Sequence, residues 1–511
     1  MSSSHNLLLL PAEILLHIGQ HLDRQSLYAS IQTSTLLYNT YTPLLWRHIT
    51  LDDASEHQVR FKALQARVDH VYDLALKTFL PSHYTLAFPR LVSLSLLNEY
   101  SFLGAQAFVK RNPTIKDLLI IDRQSLPTKE FWEAVYSQWY QPRTLTVQEL
   151  NVPERAAGAF WKACSRFEIL HLVLHAPPTS LPKDLSFPLV TRLNLKLDHL
   201  RSEPFPPEEQ LALIKACPSL TSLCWSLDHF ESPMLQFQEA LAQQTWTQLT
   251  DLELRGSTHL DADMAAVMDS LAPLGRLVLS GCSFGPLTFS KLKERHFMSL
   301  EVLDVVECEG FTSAMAVEVL SRCPHLQEFR CPHIQLKDLV QEQQQDQEQH
   351  QKQEQSFACQ QYLKRLDTFI SKNETDPTDW TDKALERLST LTQLEYLSLY
   401  PGQPDSECQT QIQEQQHSIS NHNGSILDIC LETGLDRLSS LSRLQFFGFG
   451  DSSLRMGLEE AQWIVQSWKQ LKTVMGNFSS VDGYSMDQEE KVAVMFEQRG
   501  ITHLKTQSNI K

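Results

Sequence analysis

Three pairings of side chains stand at spacings that metal chemistry could use. His17 and His21 lie four apart in a helical pattern, His171 and His175 four apart near a strand pattern, and Cys282 and Cys308 recur 26 residues apart. Two histidines at i and i+4 can share one face of a helix, as in many zinc sites. A hydrolytic site of that kind also needs a Glu beside the first His and a third ligand, and neither pair has them. The chain contains no G-x-x-x-x-G-K-[ST], G-x-G-x-x-G or C-x-x-C, so nothing points to nucleotide or dithiol chemistry. The sequence reads as a protein that is not an enzyme and holds no metal or cofactor.

The elements that would position these residues are repeats. An apolar triad of the form L-x-x-L-x-L appears at Leu91-Leu94-Leu96, Ile115-Leu118-Ile120, Val190-Leu193-Leu195, Leu220-Leu223-Trp225 and Leu249-Leu252-Leu254. It continues at Leu274-Leu277-Leu279, Leu300-Leu303-Val305, Leu326-Phe329-Cys331, Leu394-Leu397-Leu399 and Leu444-Phe447-Phe449. From Leu220 to Leu326 the starts advance by 29, 25, 26 and 26 residues. Three residues before the triads stand large or apolar side chains such as Phe88, Phe187, Trp246 and Phe297. Eight after the start stand Ser257, Cys282 and Cys308, with Asp198, Asp228 and Ser452 in other copies. The period and both columns resemble leucine-rich repeats. In that family the small polar place satisfies backbone groups as the chain leaves its strand, which makes Cys282 and Cys308 one column of a ladder.

The resemblance implies a short strand followed by a helix in each copy, and Asp261 to Leu271 and Ala314 to Leu320 carry helical apolar spacing. One repeat cannot bury its own apolar face, so about a dozen must stack. The implied architecture is α/β, a right-handed solenoid with a parallel sheet on its concave side and helices outside. Side chains alternate along a strand, so the triad points inward and the intervening residues face the concavity. Those are Arg192, Asn194, Lys196, Asp251, Glu253, Arg255, Arg276, Asp304, Glu328, Arg330, Tyr396 and Tyr400, a candidate surface for a protein substrate. As outward residues, Arg255 and Arg330 should tolerate change to Glu within about 0.5 kcal/mol, whereas Leu277 and Leu303 should not tolerate truncation.

Ahead of the repeats, Leu10-Pro11-Ala12-Glu13-Ile14 opens a helical pattern. Pro11 suits a first turn, where its missing N–H would have had no partner. Ile14, Leu15, Ile18 and Leu22 recur at helical spacing, Asp23 interrupts, and Leu27, Ile31, Leu36 and Leu37 give a second helix. Pro43, Leu44, Leu45 and Trp46 give a third short element. The segment resembles an F-box. In that family such a module docks a Skp-family adaptor of a cullin-RING (SCF-type) ubiquitin ligase, and the matching positions here are Leu10, Pro11, Ile14, Ile18, Leu22, Leu27, Leu45 and Trp46. Thr33 and Leu37 depart from the family pattern, which usually has Val and a downstream aromatic in the second helix. The implied function is substrate recognition for protein ubiquitination. The alternative is a leucine-rich-repeat scaffold or inhibitor in which the helices only cap the repeats.

Composition agrees. A formal charge of −17 on 511 residues disfavours a general binder of nucleic acid or anionic membrane. Leu7 to Leu10 fails as a secretory signal, having no preceding Lys or Arg and being cut short by Pro11 and Glu13. The expected location is cytoplasmic or nuclear, with reduced thiols at the ten cysteines. The domain reading is an F-box at 7–50, a helical linker at 51–86 and repeats at 87–340. A Gln-rich disordered insertion follows at 341–361, then degenerate repeats at 362–480 with a polar insertion at 403–423, and a cap at 481–511.

Overall fold

A computed structural model describes residues 10–51, 57–77, 81–97, 105–121, 127–176, 181–182, 184–197, 206–226, 234–243, 246–256, 260–340, 357–373, 375–377, 379–399, 425–427, 429–450, 456–478 and 486–504. The chain forms two compact units. One comprises Met1–Pro233 with Gln244–Gln248, the other Met234–Gln243 with Leu249–Lys511.

The first unit begins with three packed helices, Ala12–Gln20, Arg24–Ile31 and Thr35–Leu45. Their shared core is Leu15, Leu27, Leu37 and Tyr41, with Leu22, Ile31, Leu44 and Leu45 packed against it. Gly19 permits the close approach, since a Cβ there would meet Leu44 Cδ1 at 2.7 Å and Tyr41 Cε1 at 2.8 Å. Leu36 and Leu37, expected on the second helix, lie on the third. Ser34 starts that helix anew by accepting the Leu36 N–H at 3.2 Å.

Among the described residues eight strands follow, His48–Leu51, Asp73–Leu76, Ser93–Leu97, Asp117–Ile121, Thr144–Asn151, Ile169–Ala176, Arg192–Leu197 and Ser222–Ser226, each pairing in parallel with the next. Parallel neighbours need a crossover, which helices such as Lys129–Gln138 and Glu154–Cys164 supply. Between crossovers run edge-to-face aromatic contacts, Trp132 to Phe160 at 4.9 Å and Trp161 to Phe187 at 6.3 Å between ring centroids. The expected helical linker at 51–86 is corrected here. Asp73–Leu76 is a strand of the sheet, because Val71, Leu74 and Leu76 form a buried triad with Val in its first place. The sheet therefore starts at His48, inside the stretch assigned to the helical module.

The second unit repeats the pattern with Asp251–Arg255, Arg276–Ser280, Val302–Asp304, Glu328–Gln335, Arg365–Lys372, Tyr396–Ser398, Phe446–Gly450, Thr473–Gly476 and Thr502–Leu504, again paired in parallel in order. The short strand Ser425–Ile426 instead runs antiparallel to Ser371–Lys372. Every residue of the ten triads is buried, so each unit is an α/β stack of the leucine-rich-repeat kind. The expected cap at 481–511 contributes the helix Met486–Gln498 and the strand Thr502–Leu504, which extends the sheet. Of the Gln-rich insertion, residues 341–356 lie outside the described residues, as does the whole insertion at 403–423. Within residues 357–361, Phe357 and Cys359 are fully buried, and Cys359 Sγ donates to Leu320 O at 3.4 Å.

Candidate functional site

The strand register sorts the outward residues of the second unit into rows. One row runs Asp251, Arg276, Val302, Glu328, Arg365, Tyr396 and Phe446. Two residues further along each strand, a second runs Glu253, Val278, Asp304, Arg330, Asp367, Ser398 and Gly448. Every member comes from an alternate position of a strand whose other face is fixed by buried leucines, which is why the rows keep step.

Most charges in these rows are already paired. Glu253 is buried and accepts from Arg255 Nε at 2.7 Å and Arg276 Nη1 at 3.1 Å. Arg330 Nη1 reaches Asp304 Oδ2 at 2.8 Å, while its Nε stands 3.4 Å from Asp367 Oδ2. Arg365 Nη2 approaches the same Asp367 oxygen at 3.8 Å. Burial lifts the Asp304 and Asp367 carboxyls above the ordinary range, with Arg330 between them acting in the opposite sense. The ladder ends on aromatic rings: Arg365 lies 4.1 Å above Tyr396, which stacks on Phe446 at 4.1 Å and 4°. Arg255 and Arg330 thus hold the face together, and the expectation that reversing either would cost little is replaced by one of real destabilisation.

Sequence reading missed Arg365, Asp367 and Phe446. The triad behind the first two, Leu363-Leu366-Thr368, ends on a buried Thr that takes the Cys331 Sγ–H at 3.1 Å and breaks the apolar signal. Tyr400 lies outside the described residues. Glu328 is exposed, and Asp251, Arg255 and Arg276 are half-buried.

In the first unit the corresponding face is chemically different. Arg192 is exposed and Asn194 and Lys196 are half-buried, with Asn194 beside His171 in register. Burial, then Lys196 and Arg192, depress the His171 pKa. His17 and His21 meet edge to face at 5.1 Å on an exposed helix face. Cys282 Sγ donates to Leu254 O at 3.4 Å and Cys308 Sγ to Leu279 O at 3.3 Å. Each thiol links its repeat to the one before, and burial raises that of Cys308. Among the described residues, no three His, Cys, Asp or Glu side chains come together as metal ligands.

On the N-terminal helices, Leu10 and Ile14 are exposed, at 37% and 48%, as are Pro11, Leu16, Tyr28, Leu36 and Tyr38. Ile18, Leu22, Leu45 and Trp46 are half-buried. Leu27 differs from its companions: it sits in the core of the three helices and supports the outer face from beneath.

No known family model matches the chain, and no curated protein does. Among solved structures, the chain is similar to the yeast Rad7 and Elc1 complex, at 14% identity and a TM-score of 0.43, covering 100% of this chain and 99% of that one. It is also similar to the TLR13–ssRNA13 complex, at 13% identity and a TM-score of 0.44, covering 79% of this chain and 55% of that one. Among the described residues no helix is long and apolar enough to cross a membrane.

Proposed function

We propose that this protein is a substrate receptor of a cullin-RING ubiquitin ligase of the SCF type. Its N-terminal helices dock a Skp-family adaptor, and its repeats hold a protein substrate in the cytoplasm or nucleus. The observation that carries the reading is the exposure of Leu10, just ahead of the first helix, and of Ile14 and Leu16 on it, while the same helix is sealed against its neighbours at Leu15 and Gly19. Leucines left in water beside an already complete core mark a surface for another protein. In this reading the chain breaks no bond. It raises the local concentration of substrate around a separate conjugating enzyme.

A second reading, a repeat scaffold or inhibitor capped by the helices, draws on contacts that tie the module to the first repeats. Arg67 Nη2 donates to Tyr38 Oη, and Arg47 lies 5.4 Å over the Tyr72 ring. Affinity capture of the full chain from cells separates the two. Recovery of a Skp-family adaptor and a cullin, lost on Ile14→Asp, supports the receptor. Absence of both from the wild-type capture leaves the scaffold.

A further inference from the structure

We propose that the face of the Phe446 ring turned toward Thr473 is a binding slot for an arginine guanidinium carried on a protein segment. The inference rests on the receptor reading for that segment's role as substrate, and on the stacked row of the second unit for the chemistry of the contact.

Strand register builds the slot. Arg365, Tyr396, Phe446, Thr473 and Thr502 stand side by side on neighbouring strands of one row. The first three form a column: the Arg365 guanidinium lies 4.1 Å over the Tyr396 ring, and Tyr396 stacks on Phe446 at 4.1 Å and 4°. There the column stops. Threonines replace rings on the next two strands, each about 4.8 Å from the last, so the second face of Phe446 looks over a short side chain. Phe446 and Thr473 are half-buried and Thr502 is exposed. Among the described residues, Tyr396 is the one ring in contact with Phe446. Gly448 sets the ring's place, since a Cβ there would stand 3.1 Å from Phe446 Cε1, and the ring edge rests on the glycine instead. A ring held by Tyr396 on one face and by Gly448 along its edge needs little further ordering to stack on the other face.

The chain already closes the other end of this column with a guanidinium, where Arg365 meets Tyr396. A planar, weakly hydrated cation covers a ring face while its edge still donates hydrogen bonds, and the hydroxyl oxygens of Thr473 and Thr502 can accept them. An ammonium is a compact point charge with no flat face to offer. Charge decides between a cation and an aromatic group. The second unit has 39 Asp and Glu against 23 Lys and Arg, a net charge of −16, while the first has 22 against 21. Nearly all of the chain's −17 therefore lies on the unit that carries the column. Such a body attracts a basic segment and repels nucleic acid, whose bases could otherwise stack on the same ring. Lys472, the cation next to Thr473 along the strand, is turned onto Gln445 Oε1 at 2.8 Å. A guanidinium entering over Thr473 thus completes an Arg–Tyr–Phe–Arg stack.

The test uses the full chain and four fluorescein-labelled pools of dodecapeptides, random in Gly, Ala and Ser except for one central residue, which is Arg, Lys, citrulline or Phe. Citrulline keeps the planar head without the charge, and Lys keeps the charge without the plane. By fluorescence anisotropy at low salt, the Arg pool should bind about fivefold or more tightly than each of the others. Thr473→Trp fills the slot with a ring of the chain's own, and Phe446→Leu removes the ring to be covered. Either change should bring the Arg pool down to the level of the Lys pool. Melting curves accompany both, and if Phe446→Leu loosens its repeat, Thr473→Trp at an outward position still reads the slot. Equal or undetectable binding of the Arg and Lys pools to the wild type, or an Arg preference that survives Thr473→Trp, overturns the site. Tighter binding of the Phe pool overturns the choice of occupant. Adaptor capture is scored separately, so an Arg preference without adaptor recovery sinks the receptor reading and leaves the slot standing, and the reverse result sinks the slot alone.

Discussion

Arg330 donates from Nη1 to Asp304 Oδ2 at 2.8 Å across neighbouring strands, and its Nε stands 3.4 Å from Asp367 Oδ2 on the other side. One cation therefore serves two carboxylates, of which Asp367 is the more deeply buried, with 7% of its side chain exposed. Arg330→Glu would place three acids in a row, with Arg365 and, at longer range, Arg276 left to answer them. Removing one partner of a buried pair typically costs about 3 to 5 kcal/mol, and the partial exposure of this row puts the change near the lower end. Urea denaturation should show the loss. A midpoint within error of wild type would mean that the ladder is not formed in solution.

Leu277 and Leu303 are fully buried and directly opposite each other on paired strands. Truncating either to Ala should leave a cavity and destabilise the second unit by about 2 to 5 kcal/mol. Because the two sites share that cavity, the double variant should fall short of the sum of the singles. Circular-dichroism melts of the three variants measure both effects, and strict additivity would place the two side chains in separate surroundings.

His296 should make stability depend on pH. Its Nδ1 accepts the Leu274 N–H at 3.1 Å while Nε2 faces Met268 O at 2.9 Å, which fixes the neutral ring with its proton on Nε2. Burial, the leading cause, lowers its pKa in the folded chain, and Arg295 adds to the effect. The unfolded chain therefore takes up a proton first as the pH falls below about 6.5. The stabilisation is complete above that value and is lost progressively as pH drops toward the folded pKa. His296→Gln keeps an acceptor for Leu274 without the titration, so the fall in urea midpoint from pH 7.5 to 5.5 should be smaller in the variant. Equal falls would assign the dependence to other groups.

The repeat core was readable because its signal is local. A leucine at a fixed place reports burial whichever strand lies beside it, and Leu249, Leu274, Leu300 and Leu326 all fell as their spacing implied. Copies with other residues escaped: Val71 opens the triad of Asp73–Leu76, and Thr368 closes that of Arg365–Lys372. The concave charges were found one by one, but their meaning was not. Whether an Arg is free or clamped depends on the neighbouring strand's residue at the same height, and Arg330 and Asp367 are 37 positions apart in sequence with a Gln-rich insertion between them. Helix faces were legible only in part. Ile14 and Leu15 are equally apolar, and only tertiary packing decides that Leu15 points inward.

That division between Ile14 and Leu15 gives the sharpest separation of docking from folding. Ile14 is 48% exposed and stands outside the three-helix core, whereas Leu27 lies within it. Ile14→Asp should leave the melting curve nearly unchanged, within about 0.5 kcal/mol for a surface site. If Ile14 meets the adaptor, placing a carboxylate in that contact should weaken binding at least about tenfold, or about 1.4 kcal/mol. Leu27→Ala should do the reverse at first, costing about 2 to 3 kcal/mol of stability through the cavity it opens and lowering adaptor affinity only as the helices loosen. Calorimetric titration with a purified Skp-family adaptor, beside melts of both variants, reads the two effects apart. Should Ile14→Asp bind the adaptor as tightly as wild type while Leu27→Ala does not, the docking face lies elsewhere on the helices, and the exposed side chains Tyr28, Leu36 and Tyr38 are the next to change, one at a time.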